Sequence, residues 1–326
     1  MRLLLLRLSA LGDILRVLPA WKNLADAFPS ARIQAVVEDR HAFLLEPFFN
    51  IEPVVVYRNN LSNPLRAAIE LSRVARIVKG ADVSLDFHGI LKSALIPHFA
   101  GIQERWGDGS SKEGAWLFQN NGPSYKKQSR YAQALRLSES FGLAHGIPGL
   151  GRFEPVLKNI NLPDNGSWPT AGTLTRPKIL LVPGTSRSGA NKRWPLLRWI
   201  QLARELKKSA DLRWSLGPVE ARWRGWLPEK SGVEALPTMP FWELASVIRS
   251  IDRVIVGDTG LLHLSVLLGT QALALMGPSD PIISGIPPGT GNIARIQVEC
   301  SPCREHRCLR RSCMEQLDLD KVLAVL

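Results

Sequence analysis

The chain begins with a short apolar run that leads into a glycine-bearing turn, Leu3-Leu4-Leu5-Leu6-Arg7-Leu8-Ser9-Ala10-Leu11-Gly12-Asp13. A brief, nearly unbroken run of leucines is typical of a strand buried on both faces of a parallel sheet. After the turn, apolar residues recur at helical spacing at Leu15, Leu18, Trp21 and Leu24. The stretch therefore predicts a strand, a turn and a helix, which form the first half of a βαβ unit.

The same alternation of apolar runs and helical stretches continues along the chain. Strands are predicted at residues 3–8, 32–37, 54–57 and 83–87, and again at 178–182, 212–216, 233–236, 253–256 and 272–276. Between the two series, residues 145–177 are rich in proline, glycine and asparagine and indicate a linker. We therefore predict an α/β protein with two doubly wound domains, residues 1–165 and 175–326, whose ligand sites lie at the carboxyl ends of the strands.

Composition is that of a globular protein with a basic balance. Of the 326 residues, 45% are hydrophobic and 21% are charged, which excludes collagen-like and wholly disordered chains. The formal net charge of +12 favours anionic partners, such as phosphorylated substrates, nucleic acid or an anionic membrane surface. A basic surface that only keeps the protein soluble is the alternative.

The leucine-rich N-terminus differs from a membrane or export segment. No apolar run reaches the roughly 18–20 residues that a transmembrane helix needs. Arg7, Asp13 and Arg16 interrupt the leucines, and no small-residue cleavage site of a signal peptide follows. We therefore expect a cytoplasmic protein.

A second glycine-bearing turn follows the first predicted strand of the second domain. It reads Pro183-Gly184-Thr185-Ser186-Arg187-Ser188-Gly189-Ala190-Asn191-Lys192-Arg193-Trp194-Pro195. Hydroxyls, backbone amides and cations are combined here just before a predicted helix, where a phosphate binds well. Residues 176–230 carry 13 Lys and Arg against 4 Asp and Glu. A phosphate site is the functional interpretation, and a solvated charged face is the alternative.

Two further turns follow consecutive predicted strands of the second domain. They read Val256-Gly257-Asp258-Thr259-Gly260-Leu261-Leu262-His263-Leu264 and Met276-Gly277-Pro278-Ser279-Asp280-Pro281. If the two strands are neighbours, the turns lie side by side and form a cradle of nucleotide size. Asp258 also has a simpler interpretation as a helix cap, and His263 as a buried core histidine.

Asp13 and the cysteines near the C-terminus leave more than one interpretation open. Asp13 is either a helix N-cap or a carboxylate that acts as a general base. The cysteine spacing, Cys300-x2-Cys303-x4-Cys308-x4-Cys313 with His306 inside, differs from the usual zinc pairing. A structural metal cluster, a local disulfide and reduced buried thiols all remain possible. Asp318-Leu319-Asp320 is interpreted as a helix start rather than as a metal–diphosphate site.

Five motifs of the chain, in this order, resemble glycosyltransferase family 9, the ADP-heptose:lipopolysaccharide heptosyltransferases. They are Ser9-Ala10-Leu11-Gly12-Asp13, Asp86-Phe87-His88-Gly89-Ile90-Leu91-Lys92-Ser93, Lys192-Arg193-Trp194-Pro195, Asp258-Thr259-Gly260-Leu261-Leu262-His263 and Gly277-Pro278-Ser279-Asp280-Pro281. The resemblance spans residues 1–285, and the last two motifs together are the most specific.

The resemblance implies a GT-B fold, in which two Rossmann-like domains face each other across a cleft. It implies an inverting, metal-independent transfer of a heptose, or a related sugar, from an ADP-sugar to a lipopolysaccharide inner-core acceptor. The acceptor would bind to the first domain and the ADP-sugar to the second. No cofactor is expected, because the ADP-sugar is a substrate.

The resemblance also assigns roles to individual residues. Asp13 matches the proposed general base, and Lys192 matches the cation that contacts the donor diphosphate. The remaining donor-binding positions are matched by Thr185, Ser186, Glu220, Asp258, Thr259, Gly260 and His263. The local motif around Glu220 departs from that of the family.

On the acceptor side, the sequence departs further from the family pattern, with Lys112-Glu113 in place of an Arg-Glu pair. We predict that the acceptor contacts cations in or beside the irregular segment 107–128, namely Lys112, Lys126, Lys127 and Arg130. The implied partner is an anionic glycolipid, with peripheral contact at the inner face of the membrane and no nucleic acid.

Two other functions are compatible with a basic cleft. A non-catalytic nucleotide- or nucleic-acid-binding protein would need the cations but no carboxylate opposite a diphosphate site, so Asp13 favours the enzyme. An epimerase of the GT-B type is the third hypothesis. Five of the ten tryptophans lie in residues 194–226, at spacings that fit core packing rather than base stacking.

Overall fold

The computed structural model describes residues 1–48, 50–124, 126–163, 168, 176–303, 305 and 308–326. The chain forms two compact units, Met1–Glu154 and Pro155–Leu326. The boundary between the units lies within the predicted linker, 145–177. His306 of the cysteine-rich segment falls outside the described residues.

The first unit contains a parallel five-stranded sheet in the order β3-β2-β1-β4-β5. Its strands are β1 (Arg2–Leu6), β2 (Arg32–Glu38), β3 (Ile51–Val56), β4 (Val83–Asp86) and β5 (Glu104–Gly107). Its α-helices are α1 (Leu11–Ala27), α2 (Pro64–Ile77), α3 (Leu91–Phe99) and α4 (Arg130–Ala144). Short 3₁₀ helices occupy Asp39–Leu45, Arg58–Ser62 and Ala115–Phe118.

Burial on both faces of β1 explains its leucine run. Leu3 to Leu6 are all at most 1% exposed. Leu4 and Leu6 belong to a hydrophobic cluster with Leu71 of α2 and Ile96 of α3. Helices α1 and α4 pack against each other. Because crossovers between parallel strands are right-handed, α1 covers the face of the sheet opposite to α2 and α3.

The second unit repeats the architecture, with a parallel sheet in the order β10-β9-β8-β6-β7. Its strands are β6 (Lys178–Val182), β7 (Asp211–Trp214), β8 (Arg253–Gly257), β9 (Gln271–Leu275) and β10 (Gly291–Ala294). Its α-helices are α5 (Leu196–Leu206), α6 (Trp226–Ser231), α7 (Phe241–Arg249), α8 (Gly260–Leu268), α9 (Pro281–Ser284), α10 (Ser312–Glu315) and α11 (Leu319–Leu323). The 3₁₀ helices are Arg187–Lys192 and Pro218–Trp223.

Tryptophans form part of the core of the second unit, as their spacing predicted. Trp194, Trp199 and Trp214 are buried in one hydrophobic cluster, and their rings meet edge to face. Met314 and Leu317, near the C-terminus, pack into the same cluster. The C-terminal segment is therefore an integral part of this unit.

The prediction of a strand at residues 233–236 is wrong. Ala235 forms only an isolated bridge with Trp214 of β7. Gly232 adopts a left-handed conformation just before this segment, and Pro237 has no N–H group to extend the pairing. The structure also adds two edge strands, β5 and β10, that the apolar pattern did not predict. Among the described residues, every helix is too short or too polar to cross a bilayer.

Candidate active site

Asp13 lies in the first turn of α1, and its carboxylate is held between two arginines. Arg7 Nη2 lies 2.9 Å from Oδ2 of Asp13, and Arg16 Nη1 lies 3.0 Å from Oδ1. The N-cap of α1 is Ala10, whose carbonyl accepts the N–H groups of Asp13 and Ile14, each over 2.9 Å. The alternative interpretation of Asp13 as a cap is therefore wrong.

The two arginines are anchored by their own surroundings. Arg7 follows β1, and its Nη1 donates to the carbonyl of Phe87 over 2.8 Å. The side chains of Arg7 and Arg16 are buried, whereas that of Asp13 is 31% exposed. Burial alone would raise the pKa of the Asp13 carboxyl, but the charges of Arg7 and Arg16 outweigh it and hold the pKa far below its ordinary value.

A buried carboxylate, Asp86, organises the neighbouring loop at the end of β4. Its Oδ1 accepts the backbone N–H groups of His88 and Gly89 over 2.9 and 3.1 Å. Its Oδ2 accepts from the Ser93 hydroxyl and the Gln119 amide over 2.9 and 3.1 Å. Burial raises the pKa of Asp86 despite these four hydrogen bonds. The motif that begins at Asp86 therefore builds a rigid loop next to Asp13.

His88 is the side chain that this loop presents beside Asp13. The backbone N–H of Leu8 donates to Nδ1 of His88 over 3.3 Å, so the neutral ring carries its proton on Nε2. Burial, together with the positive charge of Arg7, lowers the pKa of His88 to about 3. At neutral pH, His88 is therefore an uncharged hydrogen-bond donor.

Asp13 and His88 line one cavity of about 190 Å³ at the carboxyl edge of the first sheet. Of the four predicted acceptor-binding cations, Lys112 and Arg130 line it, whereas Lys126 and Lys127 are exposed and outside the described lining. The structure thus brings two of the four to Asp13. The described part of the segment 107–128 is more ordered than predicted, because it contains a 3₁₀ helix and because Asp108 forms an ion pair with Arg136 of α4.

In the second unit, Lys192 meets the turn that follows β8. Its Nζ lies 2.7 Å from Oδ2 of Asp258, and the Ser279 hydroxyl donates to the same oxygen over 2.5 Å. Ser279 belongs to the turn after β9, which pairs with β8. The predicted juxtaposition of these two turns is therefore confirmed. Asp258 fixes the Lys192 ammonium at the carboxyl edge of the sheet.

The start of α8 adds hydrogen-bond donors to this edge. Thr259 is the N-cap residue of α8, but its side chain makes no capping bond, and its Oγ1 is buried without a hydrogen-bond partner among the described atoms. Gly260 is the first helical residue. His263, one turn along, is buried, with Nε2 4.0 Å from Oδ1 of Asp258. A helix N-terminus with an unused hydroxyl beside an ammonium suits an anionic ligand.

Arg193 connects the turn after β6 with Glu220. Its Nε donates to the Thr185 hydroxyl over 2.9 Å, and its Nη2 lies 3.4 Å from Oε1 of Glu220. A side chain at Gly184 would collide with the Glu220 carboxyl, since an added Cβ would lie 2.6 Å from Cδ. Ser186 lies in the same turn, where its Oγ would be 3.2 Å from a Cβ added at Gly189. Thr185, Ser186 and Glu220 are therefore all placed at one edge.

All four cysteines line another cavity of about 570 Å³ near the C-terminus, and all are free thiols. Burial, with further contributions from the other three cysteines, raises the pKa of Cys313. In the part of the chain that the structure describes, no three potential ligand side chains are grouped to hold a metal ion. A structural metal cluster at these four cysteines stays a prediction.

A model of glycosyltransferase family 9 (heptosyltransferase) matches residues 72–314 of the chain. This match spans more than half of the 326 residues. The chain belongs to glycosyltransferase family 9. It is therefore a glycosyltransferase, as the resemblance predicted, and the interpretations as a binding protein or an epimerase are set aside.

Curated relatives match this family 9 glycosyltransferase over most of its length. Lipopolysaccharide heptosyltransferase 1 of Escherichia coli O18:K1:H7 (strain RS218 / NMEC) is 28% identical over 300 residues, which cover 87% of this chain and 88% of the relative. The protein of the same name from Escherichia coli (strain K12) is 27% identical over 321 residues, with coverage of 94% and 95%.

A solved structure described as E. coli heptosyltransferase WaaC with ADP has a TM-score of 0.73 and 23% sequence identity to this chain. The likeness covers 99% of this chain and 98% of the other. The predicted fold class, α/β with two doubly wound Rossmann-like domains of the GT-B type, is confirmed.

Sequence reasoning missed several residues of the family 9 site. Arg7 is a charged residue directly after a buried strand, and Arg16 lies three residues from Asp13 on a helix, so both positions carried a signal. His88 and Arg193 lie within recognised motifs, but the sequence alone assigned no role to them. Ser279 was missed because its contact with Asp258 depends on the pairing of β8 with β9.

Proposed function

We propose that this glycosyltransferase transfers a heptose, or a related sugar, from an ADP-sugar to a lipopolysaccharide inner-core acceptor, with inversion at the anomeric carbon and without a metal ion. The names of the curated relatives support the sugar and the acceptor. The observation that carries the proposal is the Asp13 carboxylate, fixed by two arginines and partly exposed in a cavity lined by further cations.

Asp13 is the base of the proposed reaction. The acceptor hydroxyl oxygen attacks the anomeric carbon of the donor sugar while the bond from that carbon to the diphosphate oxygen breaks. The hydroxyl proton passes to Asp13, and ADP leaves with the bonding electron pair. One displacement of this kind inverts the anomeric configuration, and removing such a base costs on the order of 100- to 10,000-fold in rate.

Arg7, Arg16 and His88 shape the acceptor side of this reaction. The arginines keep Asp13 ionised and fix its orientation, at the expense of basicity. His88 is neutral and offers Nε2–H as a donor in the same cavity, which suits an acceptor oxygen. Lys112 and Arg130 supply positive charge for an anionic glycolipid.

Lys192 and the N-terminus of α8 form the proposed diphosphate site. As the bond to the anomeric carbon breaks, negative charge grows on the leaving diphosphate, and a fixed ammonium with backbone N–H groups stabilises it. Asp258 positions Lys192 rather than touching the donor, because a carboxylate would repel a diphosphate. Thr259 Oγ1 supplies a donor that has no other partner among the described atoms. These groups replace the divalent ion that other enzymes use.

A transfer assay tests the proposal. The purified protein is incubated with ADP-heptose and lipopolysaccharide that lacks heptose, and mass spectrometry measures a gain of one heptose with release of ADP. The anomeric proton of the product, followed by NMR, reports inversion, and UDP- and GDP-sugars serve as controls. Transfer from a UDP-sugar but not from ADP-heptose would refute the proposed donor, and a retained anomeric configuration would refute the single displacement.

A cytoplasmic location and peripheral contact with the inner face of the membrane belong to the same proposal, because the acceptor is a membrane-anchored glycolipid.

A further inference from the structure

One outer face of the first unit exposes a group of large apolar side chains. On α2, Leu65 and Ile69 are 73% and 62% exposed, and their four-residue spacing places them on one side of the helix. On α3, Phe99 is 56% exposed, and on the 3₁₀ helix after β5, Trp116 and Leu117 are 62% and 65% exposed. Scattered exposed apolar residues are ordinary, but a group on neighbouring elements marks an interaction surface.

These elements lie on the same side of the sheet. Leu71 of α2 and Ile96 of α3 pack into one cluster with Leu4 of β1, so both helices cover one face and their exposed sides point away from it. The 3₁₀ helix continues this layer, because the rings of Phe118 and His98 of α3 meet edge to face with centroids 5.0 Å apart. We call this surface the α2–α3 face, and it is defined by Leu65, Ile69, Phe99, Trp116 and Leu117.

The charges on the α2–α3 face are mostly of one sign. Arg66 and Arg76 of α2 and Lys92 of α3 are exposed. The carboxylate of α2, Glu70, is buried and ion-paired with Arg73, and the sequence of α3 contains no carboxylate. The exposed charged side chains of α2 and α3 are therefore cations, and Glu113, three residues before Trp116, is an exposed carboxylate. A second copy of the chain docked face to face would bring like charges together, which disfavours self-association.

We propose that the α2–α3 face docks onto a bilayer that contains anionic lipid. Tryptophan, phenylalanine and leucine enter the interfacial zone of a bilayer, while the cations attract anionic headgroups. This proposal names a surface for the membrane contact of the proposed function, and it rests on that function where it concerns the acceptor. Ser111 and Lys112 of the Asp13 cavity lie just before Trp116 in the chain, so a lipid-anchored acceptor could present its sugar to that cavity.

Co-sedimentation with vesicles tests the docking surface without any sugar substrate. The whole protein is mixed with phosphatidylcholine vesicles and with vesicles that also contain phosphatidylglycerol. We expect binding to the anionic vesicles, and weaker binding at high salt. Trp116→Ser with Leu117→Ser should lower the partition coefficient at least about tenfold, because two apolar side chains no longer enter the bilayer. Arg66→Gln with Arg76→Gln should lower it about 25-fold, at about fivefold for each cation.

Leu197→Ser is the matched control, because Leu197 is 70% exposed on α5 of the other unit. This control should bind like the unchanged protein, and unfolding curves check that all variants are folded. Equal vesicle binding by both double variants and the control would overturn the proposal. So would a dimer of the unchanged protein, in sedimentation velocity, that the Trp116 and Leu117 substitutions dissociate.

Transfer to a deacylated, heptose-free acceptor separates this proposal from the proposed function. The double variants should keep the transfer rate of the unchanged protein on the deacylated acceptor and lose rate only on acceptor held in vesicles. Vesicle binding without any transfer would refute the proposed function alone. Transfer with no dependence on the α2–α3 face, even in vesicles, would refute the docking surface alone.

Discussion

Replacing Asp13 by asparagine separates its proposed role as base from its role in balancing the charge of two buried arginines. The side chains of Arg7 and Arg16 are 8% and 10% exposed, so the substitution leaves two nearly buried cations without their shared carboxylate. Removing one partner of a buried pair costs about 3–5 kcal/mol. Because the Asp13 side chain is 31% exposed, solvent screening should reduce this cost to about 2–3 kcal/mol.

Two measurements follow from this magnitude. For a domain of this size, about 2–4 °C of Tm is lost per kcal/mol, so Asp13→Asn should lower the Tm of the first unit by about 5–10 °C. Transfer should fall by a factor of about 100–10,000 through loss of the base. Adding Arg16→Gln to Asp13→Asn removes one uncompensated cation. The double variant should therefore regain part of the Tm but none of the transfer rate.

Asp26→Asn is the matched control, because Asp26 lies on the same helix and pairs with Lys22 at the surface. This control should change stability by less than about 1 kcal/mol and keep full activity. Calorimetry and an ADP-release assay measure the two properties. Recovery of the transfer rate in the double variant would refute the role of Asp13 as base and leave it only a structural one.

The remaining predictions concern the donor site, the role of metal, the neutral histidine and the acceptor cations. Lys192→Met should weaken ADP binding by at least about tenfold. It should also lower kcat, because the ammonium would stabilise the negative charge that grows on the leaving diphosphate. Unchanged ADP affinity and transfer rate would show that Lys192 is not part of the donor site. Transfer should persist in EDTA, and a rate that collapses and recovers with Mg²⁺ would refute the metal-independent mechanism. Since the pKa of His88 is lowered to about 3, the unfolded chain binds more protons than the folded one below about pH 6.5, so the stability of the folded state falls on acidification. His88→Gln should therefore lessen the Tm loss between pH 7 and pH 5 by an amount equivalent to about 2 kcal/mol. Equal Tm losses in the variant and the unchanged protein would contradict a buried neutral ring. Neutralising Lys112 and Arg130 together should raise the acceptor KM several-fold, whereas neutralising residues 126–127 should not, and the reverse result would place the acceptor outside the Asp13 cavity.

Buried parallel strands made the fold predictable. Runs such as residues 3–6 and 179–182 must be apolar on both faces, and the helices between them carry an apolar stripe, so the sequence itself contains the alternation. Edge strands carry a weaker pattern. β5 consists of Glu104, Arg105, Trp106 and Gly107, which no periodicity distinguishes from a loop, and it forms only because β4 offers free backbone groups beside it.

The candidate site was predictable where one motif supplies both partners and unpredictable where two motifs meet. The pair Asp13 and Arg16 follows from helical spacing alone. The contact of Ser279 with Asp258 requires that β8 and β9 be neighbours. The tautomer of His88 depends on the backbone N–H of Leu8, just after β1 and about 80 residues earlier, and its neutral protonation state depends on burial. Contacts between residues so far apart in the sequence depend on the order of the strands in the sheet, which a single sequence indicates only indirectly.

The opposing charges beside Asp13 limit how the proposed reaction can proceed. A buried carboxylate without partners would have a raised pKa and would be a stronger base, whereas Arg7 and Arg16 keep this one ionised and weak. A weak base suffices if the attacking hydroxyl becomes acidic before it gives up its proton. That happens when the bond to the leaving diphosphate is largely broken and the sugar carries positive charge, as in the oxocarbenium-like transition states of glycosyl transfer to water. For the proposed reaction, the arginines of the first unit therefore imply late proton transfer. Most of the lowering of the barrier must then come from the groups proposed to stabilise the leaving diphosphate, Lys192 and the N-terminus of α8.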